Sequence, residues 1–141
     1  MSDLLQLYQE IILRHNKNPR NYGRPGSFPH CASGHNPLCG DQVTVYWSVD
    51  GSCLSDIHFE SQGCAISRAS ASIMTELLAG KTTEEASALY EEFSAALKNQ
   101  GEEPSLGEGF GELVALSEVR KYPSRIKCAT LAWQALLEGD F

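Results

Sequence analysis

The chain has 141 residues, which suits one domain, residues 1–141, with a real core of its own. Its formal net charge of −7 disfavours nucleic-acid and anionic-membrane partners, since both require clustered lysine and arginine. No run approaches the length of a membrane-spanning helix, and Met1-Ser2-Asp3-Leu4-Leu5 lacks the basic and apolar regions of a signal peptide, so a cytoplasmic location with no membrane partner is expected.

Leu4, Leu7, Tyr8, Ile11 and Ile12 recur at helical spacing, which predicts a helix over residues 3–15 capped by Ser2 or Asp3. It should stop before Asn18-Pro19, because a residue preceding proline avoids the α region. Residues 16–29 are rich in Asn, Pro and Gly and read as an irregular segment. Val43, Val45 and Trp47 then alternate with Thr44, Tyr46 and Ser48, the period of a strand. Asp50-Gly51 supplies a tight turn, and Leu54, Ile57 and Phe59 mark a second strand reaching Glu60. A short third strand is expected near residues 31–36.

From Ala65 to Leu78 the sequence is dense in Ala, Ile, Met and Leu, which predicts a helix closed by Gly80. Thr82-Thr83-Glu84-Glu85 is a capping signature for a helix running to about Leu97. Residues 98–109 read as an acidic, mobile, solvent-facing loop. Phe110 to Val119 is expected as one short helix, and Pro123-Ser124 should open a final helix through Leu137. The order gives an α+β fold, a small antiparallel sheet of about three strands packed against a cluster of helices. Trp47 and Trp133 are expected in the core.

The five cysteines are odd in number and scattered, unlike a secreted disulfide framework. In a reducing compartment such cysteines are buried apolar residues, metal ligands or reactive thiols. Cys39-Gly40-Asp41 stands at the entry to the hairpin, where residues two apart on extended backbone project to one side. Cys64 stands where a strand gives way to a helix, and Cys128 near the start of the last helix; helix N-termini favour thiolates. Three sulfurs and the Asp41 carboxylate match the four ligands of tetrahedral zinc. A second reading stays open on spacing alone. There is no CxxC pair, Cys64 and Cys128 border Ala-rich helices as buried apolar cysteines do, and Asp41 fits a solvated residue at a strand start. Cys31 and Cys53 read as a semi-buried residue and a turn residue. His15, His30, His35 and His58 are isolated, with His35 nearest in sequence to the candidate ligands.

Four separated segments carry a resemblance. Ile11-Ile12-Leu13-Arg14-His15-Asn16-Lys17-Asn18-Pro19-Arg20-Asn21-Tyr22-Gly23, Asn36-Pro37-Leu38-Cys39-Gly40-Asp41, Ser61-Gln62-Gly63-Cys64-Ala65-Ile66-Ser67 and Arg125-Ile126-Lys127-Cys128-Ala129 occur in the order found in the U-type iron–sulfur cluster assembly family of IscU, SufU and the N-terminal part of NifU. The resemblance implies that Cys39, Asp41, Cys64 and Cys128 share one metal. Lys127 stands where the IscU branch carries a histidine, Lys121-Tyr122-Pro123-Ser124 replaces its Pro-rich chaperone-binding run, and the insertion-like segment around residues 94–112 resembles the SufU branch. That branch implies a zinc-bound acceptor, a zinc-dependent sulfurtransferase if an enzyme at all. It would take persulfide sulfur from a SufS-like cysteine desulfurase and pass it toward downstream iron–sulfur assembly proteins. Cys39, beside Gly40, would be the catalytic, sulfur-accepting thiolate. The alternative is a scaffold assembling a [2Fe–2S] cluster on the same cysteines, and a third reading is a structural zinc module that binds a partner without chemistry. Zinc with three thiolates and a carboxylate carries a net charge of −2, which Arg125 and Lys127 would offset unless they simply line a solvated helix face.

Overall fold

The computed structural model describes residues 3–37, 40–99, 106 and 108–139, leaving Cys39 and most of the 98–109 segment outside the described residues. Helix α1 (Asp3–Lys17) runs two residues past its expected end. The Asn16 side-chain amide donates to the Ile12 carbonyl within the helix and to the Ala65 carbonyl across from it, which holds the last turn in place. The irregular stretch that follows is not idle. Gly23 N–H donates to the Phe59 carbonyl at 2.7 Å and Phe59 N–H to the Asn21 carbonyl at 3.1 Å, so the segment covers part of an open sheet edge.

The sheet comprises β1 (His30–Asn36), β2 (Asp41–Asp50) and β3 (Cys53–Gln62), antiparallel in the order β1-β2-β3. Register places Asn36 opposite Asp41 and Trp47 opposite Ile57, with an irregularity at Ser48/Val49. Val43, Val45, Trp47, Leu54, Ile57 and Phe59 are buried, while their alternates Thr44, Tyr46, Ser55 and Glu60 are half-buried or exposed. The apolar face is covered by α2 (Ala65–Leu78) and α5 (Ile126–Glu138), which also pack on each other. Ala69, Ala71, Ala129 and Ala132 are buried and keep the helices close. Trp133, fully buried as expected, donates its indole N–H to Ser70 Oγ at 3.1 Å, and the Ser70 hydroxyl donates to the Ala129 carbonyl. This polar pin joins α2 to α5 inside the core.

Helix α3 (Thr83–Leu97) begins with the expected capping box. Thr82 Oγ1 accepts from Glu85 N–H at 3.1 Å, and Glu85 Oε1 accepts from Thr82 N–H at 2.9 Å. Beyond it the structure corrects three expectations. Leu106 is buried, so the 98–109 segment is not solvent-facing throughout. The single helix expected from Phe110 to Val119 is instead a 3₁₀ turn at Glu108–Phe110, helix α4 (Leu113–Leu116) and a 3₁₀ turn at Ser117–Lys121. Gly111, at φ +56, interrupts the helical path, and Phe110 is drawn into the core. Likewise Pro123 opens only a 3₁₀ turn, Pro123–Arg125, and α5 starts at Ile126.

Thr82→Ala should cost about 1 kcal/mol, read as a lower urea midpoint at unchanged slope. The Thr82 backbone N–H holds the Glu85 carboxyl below its ordinary value of 4.5. Its stabilising arm is therefore complete above that value and fades as pH falls below it. The stability difference between the native chain and Glu85→Gln should shrink over the same range.

Candidate metal centre

Asp41 is the first residue of β2, and its side chain is 0% exposed. A buried carboxylate needs donors. Oδ1 has one, the Cys64 N–H at 2.6 Å, while Oδ2 is buried with no hydrogen-bond partner among the described residues. The contact exists because residue 63 is glycine. Gly63 sits at φ +116, and a Cβ there would lie 2.5 Å from Asp41 Oδ1 and 2.8 Å from its Cα. Gly63 thus lets the end of β3 fold over the start of β2.

Cys64 is the N-cap of α2, with φ −77 and ψ 148, and its side chain makes no capping bond. It is partly exposed. Cys128 is the third residue of α5 and 0% exposed. Asn36, 1% exposed at the end of β1, points its side-chain amide at Cys128 Sγ, 3.7 Å away. One carboxylate oxygen of Asp41 and the two sulfurs all lie within 4.8 Å of one another. Ligands around zinc at Zn–S of about 2.3 Å stand roughly 3.8 Å apart, so this trio is within a small adjustment of a binding geometry. The donor set, two thiols and an oxygen lacking a partner, fits zinc.

The buried position of Asp41 removes the solvated-strand-start reading. Cys128 is buried, as the apolar reading required, yet Asn36 and Asp41 both approach its sulfur. Cys39 itself lies outside the described residues. Next to it, Gly40 adopts φ +71, and Asp41 reaches the centre as the first residue of β2, paired with Asn36 where β1 closes on it. Cys31 is exposed rather than semi-buried, and Cys53 is half-buried as the first residue of β3 rather than in the turn.

No histidine joins the described trio. His35 is exposed and precedes buried Asn36, so its side chain faces the opposite side of the sheet. His15 is buried between Ser72 Oγ at 2.6 Å and Glu112 Oε1 at 2.9 Å, His30 stacks on Trp47, and His58 pairs with Asp56. Arg125 and Lys127 are exposed. Tyr8 and Tyr122 stack at 6.4 Å. Burial, reinforced by the Tyr122, Cys64 and Glu118 charges and opposed by Arg125, pushes the Tyr8 phenol up to about 12, so it stays protonated beside the centre. Asn36 and Gly63 stood in the sequence only as letters of the ligand motifs; their roles need the cross-strand pairing and a positive φ to be seen.

Residues 7–129 match the NifU-like N-terminal domain. The chain belongs to that family. It is 41% identical over 138 residues to the zinc-dependent sulfurtransferase SufU of Bacillus subtilis, across 98% of this chain and 92% of that protein. It is 40% identical over 139 residues to the iron–sulfur cluster assembly scaffold protein IscU of Streptococcus pyogenes, across 99% and 86%. Among solved structures, a SUF-system scaffold candidate from Fervidobacterium islandicum AW-1 superposes with a TM-score of 0.82 at 33% identity, covering 94% of this chain and 95% of that one. The N-terminal part of a NifU-like protein from Brucella abortus gives 0.83 at 28% identity, covering 97% and 94%. The sheet and helices are thus those of the family. No helix among the described residues is long and apolar enough to cross a membrane.

Gly63→Ala should destabilise the fold by about 1–3 kcal/mol through its positive φ alone, and further by displacing Asp41. Urea unfolding of the metal-free protein checks this, since it separates the backbone effect from any ligand.

Proposed function

We propose that this chain serves iron–sulfur cluster biosynthesis as a zinc-bound sulfur acceptor. It would take persulfide sulfur from a cysteine desulfurase of the SufS kind and hand it to downstream assembly proteins in the cytoplasm. The observation that carries the reading is the convergence of Asp41, Cys64 and Cys128, with a buried Asp41 oxygen that lacks a partner among the described residues. Cys39 completes the ligand set in this reading, on the strength of its place in the Cys39-Gly40-Asp41 motif. The similarity to a protein named a zinc-dependent sulfurtransferase supports zinc.

When bound, zinc would gather and mask thiolates without redox chemistry of its own. The residues divide the remaining work. Asp41, Cys64 and Cys128 are tied to the sheet and to the first turns of two helices, and they hold. Cys39 is flanked by Gly40, whose left-handed backbone has open space around it, and it accepts. Its thiolate attacks the outer sulfur of the donor's cysteine persulfide. The donor S–S bond breaks as a new S–S bond forms at Cys39, and the donor cysteine leaves as a thiolate, so no external oxidant or reductant is needed.

A second reading has its own support in the IscU scaffold relative, nearly as similar as SufU. The same thiolates would then receive a [2Fe–2S] cluster as cargo. Metal analysis combined with labelled-sulfur transfer from a cysteine desulfurase separates them. The acceptor predicts colourless protein with one zinc per chain and transfer that falls to background in Cys39→Ala. Full transfer by that variant overturns the assignment, and a visible cluster surviving gel filtration favours the scaffold. Asp41→Ala should speed zinc loss to a chelator by tenfold or more, about the range seen when metal-site contacts are removed.

A further inference from the structure

We propose that Asn36 is a positioning residue of the metal centre, whose side-chain amide clamps and quiets the Cys128 sulfur so that Cys128 is the retained thiolate. The inference rests on the reading of Cys128 as a ligand. Its basis is local. Asn36 is 1% exposed, closes β1 directly opposite Asp41, and directs Nδ2 at Cys128 Sγ over 3.7 Å. One strand-end pair thereby delivers a ligand from one strand and a donor to another ligand from its partner.

An N–H aimed at a thiolate fixes the direction of the sulfur lone pairs and draws electron density from the sulfur. A thiolate so held is oriented toward its metal and is a poorer nucleophile toward an incoming persulfide. The arrangement also answers the charge problem of the site. Arg125 and Lys127 are exposed, whereas the two fully buried ligands each have a neutral donor. Asp41 takes the Cys64 N–H, and Cys128 takes the Asn36 amide. Cys64, by contrast, is partly exposed. Asn36 therefore helps to set which sulfurs stay put.

The test uses the full chain loaded with ¹¹³Cd, an NMR-active thiolate-seeking ion, and labelled with ¹⁵N. The expected result is a change in the Asn36 side-chain N–H resonance on loading, with scalar coupling to the cadmium through the N–H···S contact. Cadmium bound to the cysteines with an Asn36 amide that neither shifts nor couples overturns the inference while leaving the metal centre intact. Failure of cadmium to bind the cysteines at all removes the ligand reading and this inference with it. A second arm compares Asn36→Leu with Asn36→Gln, which keeps an amide. In zinc-loaded Asn36→Leu, chelator-driven zinc release should rise about tenfold or more, and Cys128 should become alkylated, as located by peptide mass spectrometry. Asn36→Gln should recover part of the protection. A merely structural asparagine would lower the melting temperature without changing which cysteine is alkylated, and that outcome also overturns the proposal.

Discussion

A carboxylate with no solvent exposure is expensive unless something inside the protein answers its charge, and the architecture around the centre is arranged to do so at Asp41. The Cys64 N–H supplies the answer on one oxygen. That bond forces the end of β3 across the start of β2 and fixes where α2 begins. Because the approach is tight, only glycine fits at residue 63. One hydrogen bond thus ties the sheet's end, the strand-to-helix turn and a cysteine into a single unit.

The second half of the centre depends on how α2 and α5 meet. Ser70 takes the Trp133 indole N–H and gives its own proton to the Ala129 carbonyl, next to Cys128. The two helices are pinned by this relay and by small side chains, so their first turns stay side by side. Cys64 and Cys128 converge for that reason, although 64 positions separate them in the chain. A comparable relay runs from Ser72 through His15 to Glu112, which Arg14 also contacts, and it braces α1 against α2 and the segment leading to α4. Several of the buried polar groups, His15, Ser70 and Ser72 among them, thus serve to set helix positions.

The sequence made the regular elements legible where period and capping agreed. Val43, Val45 and Trp47 announced β2, and the Thr82 to Glu85 box announced α3 to the residue. Legibility failed where tertiary contacts overrode local signals. Asn16 keeps α1 going because Ala65 offers a carbonyl, a partner 49 positions away. Gly111 and buried Phe110 split what looked like one helix. At the centre, the residue types of Cys64, Cys128 and Asp41 were readable, but their meeting was not, since spacing carries no information about the α2–α5 contact. Asn36 was harder still. Its significance lies in a cross-strand register and a side-chain direction that no periodicity encodes.

Neutral donors meet Asp41 and Cys128 from inside the protein. Such donors act at contact range in a poorly screened interior, whereas exposed cations on long stems are weakened by solvent and salt. The consequence is a gradient across the candidate ligands. Cys128 is buried deep under Asn36, Asp41 is buried under the Cys64 N–H, and Cys64 stands partly open at a helix start. A group that must hold a metal through repeated encounters belongs at the deep end, where its orientation is fixed by packing. A group that must meet a large donor protein belongs near the surface, beside backbone that can move without disturbing the core. In the proposed acceptor, depth and packing would therefore suit Asp41 and Cys128 to holding the metal.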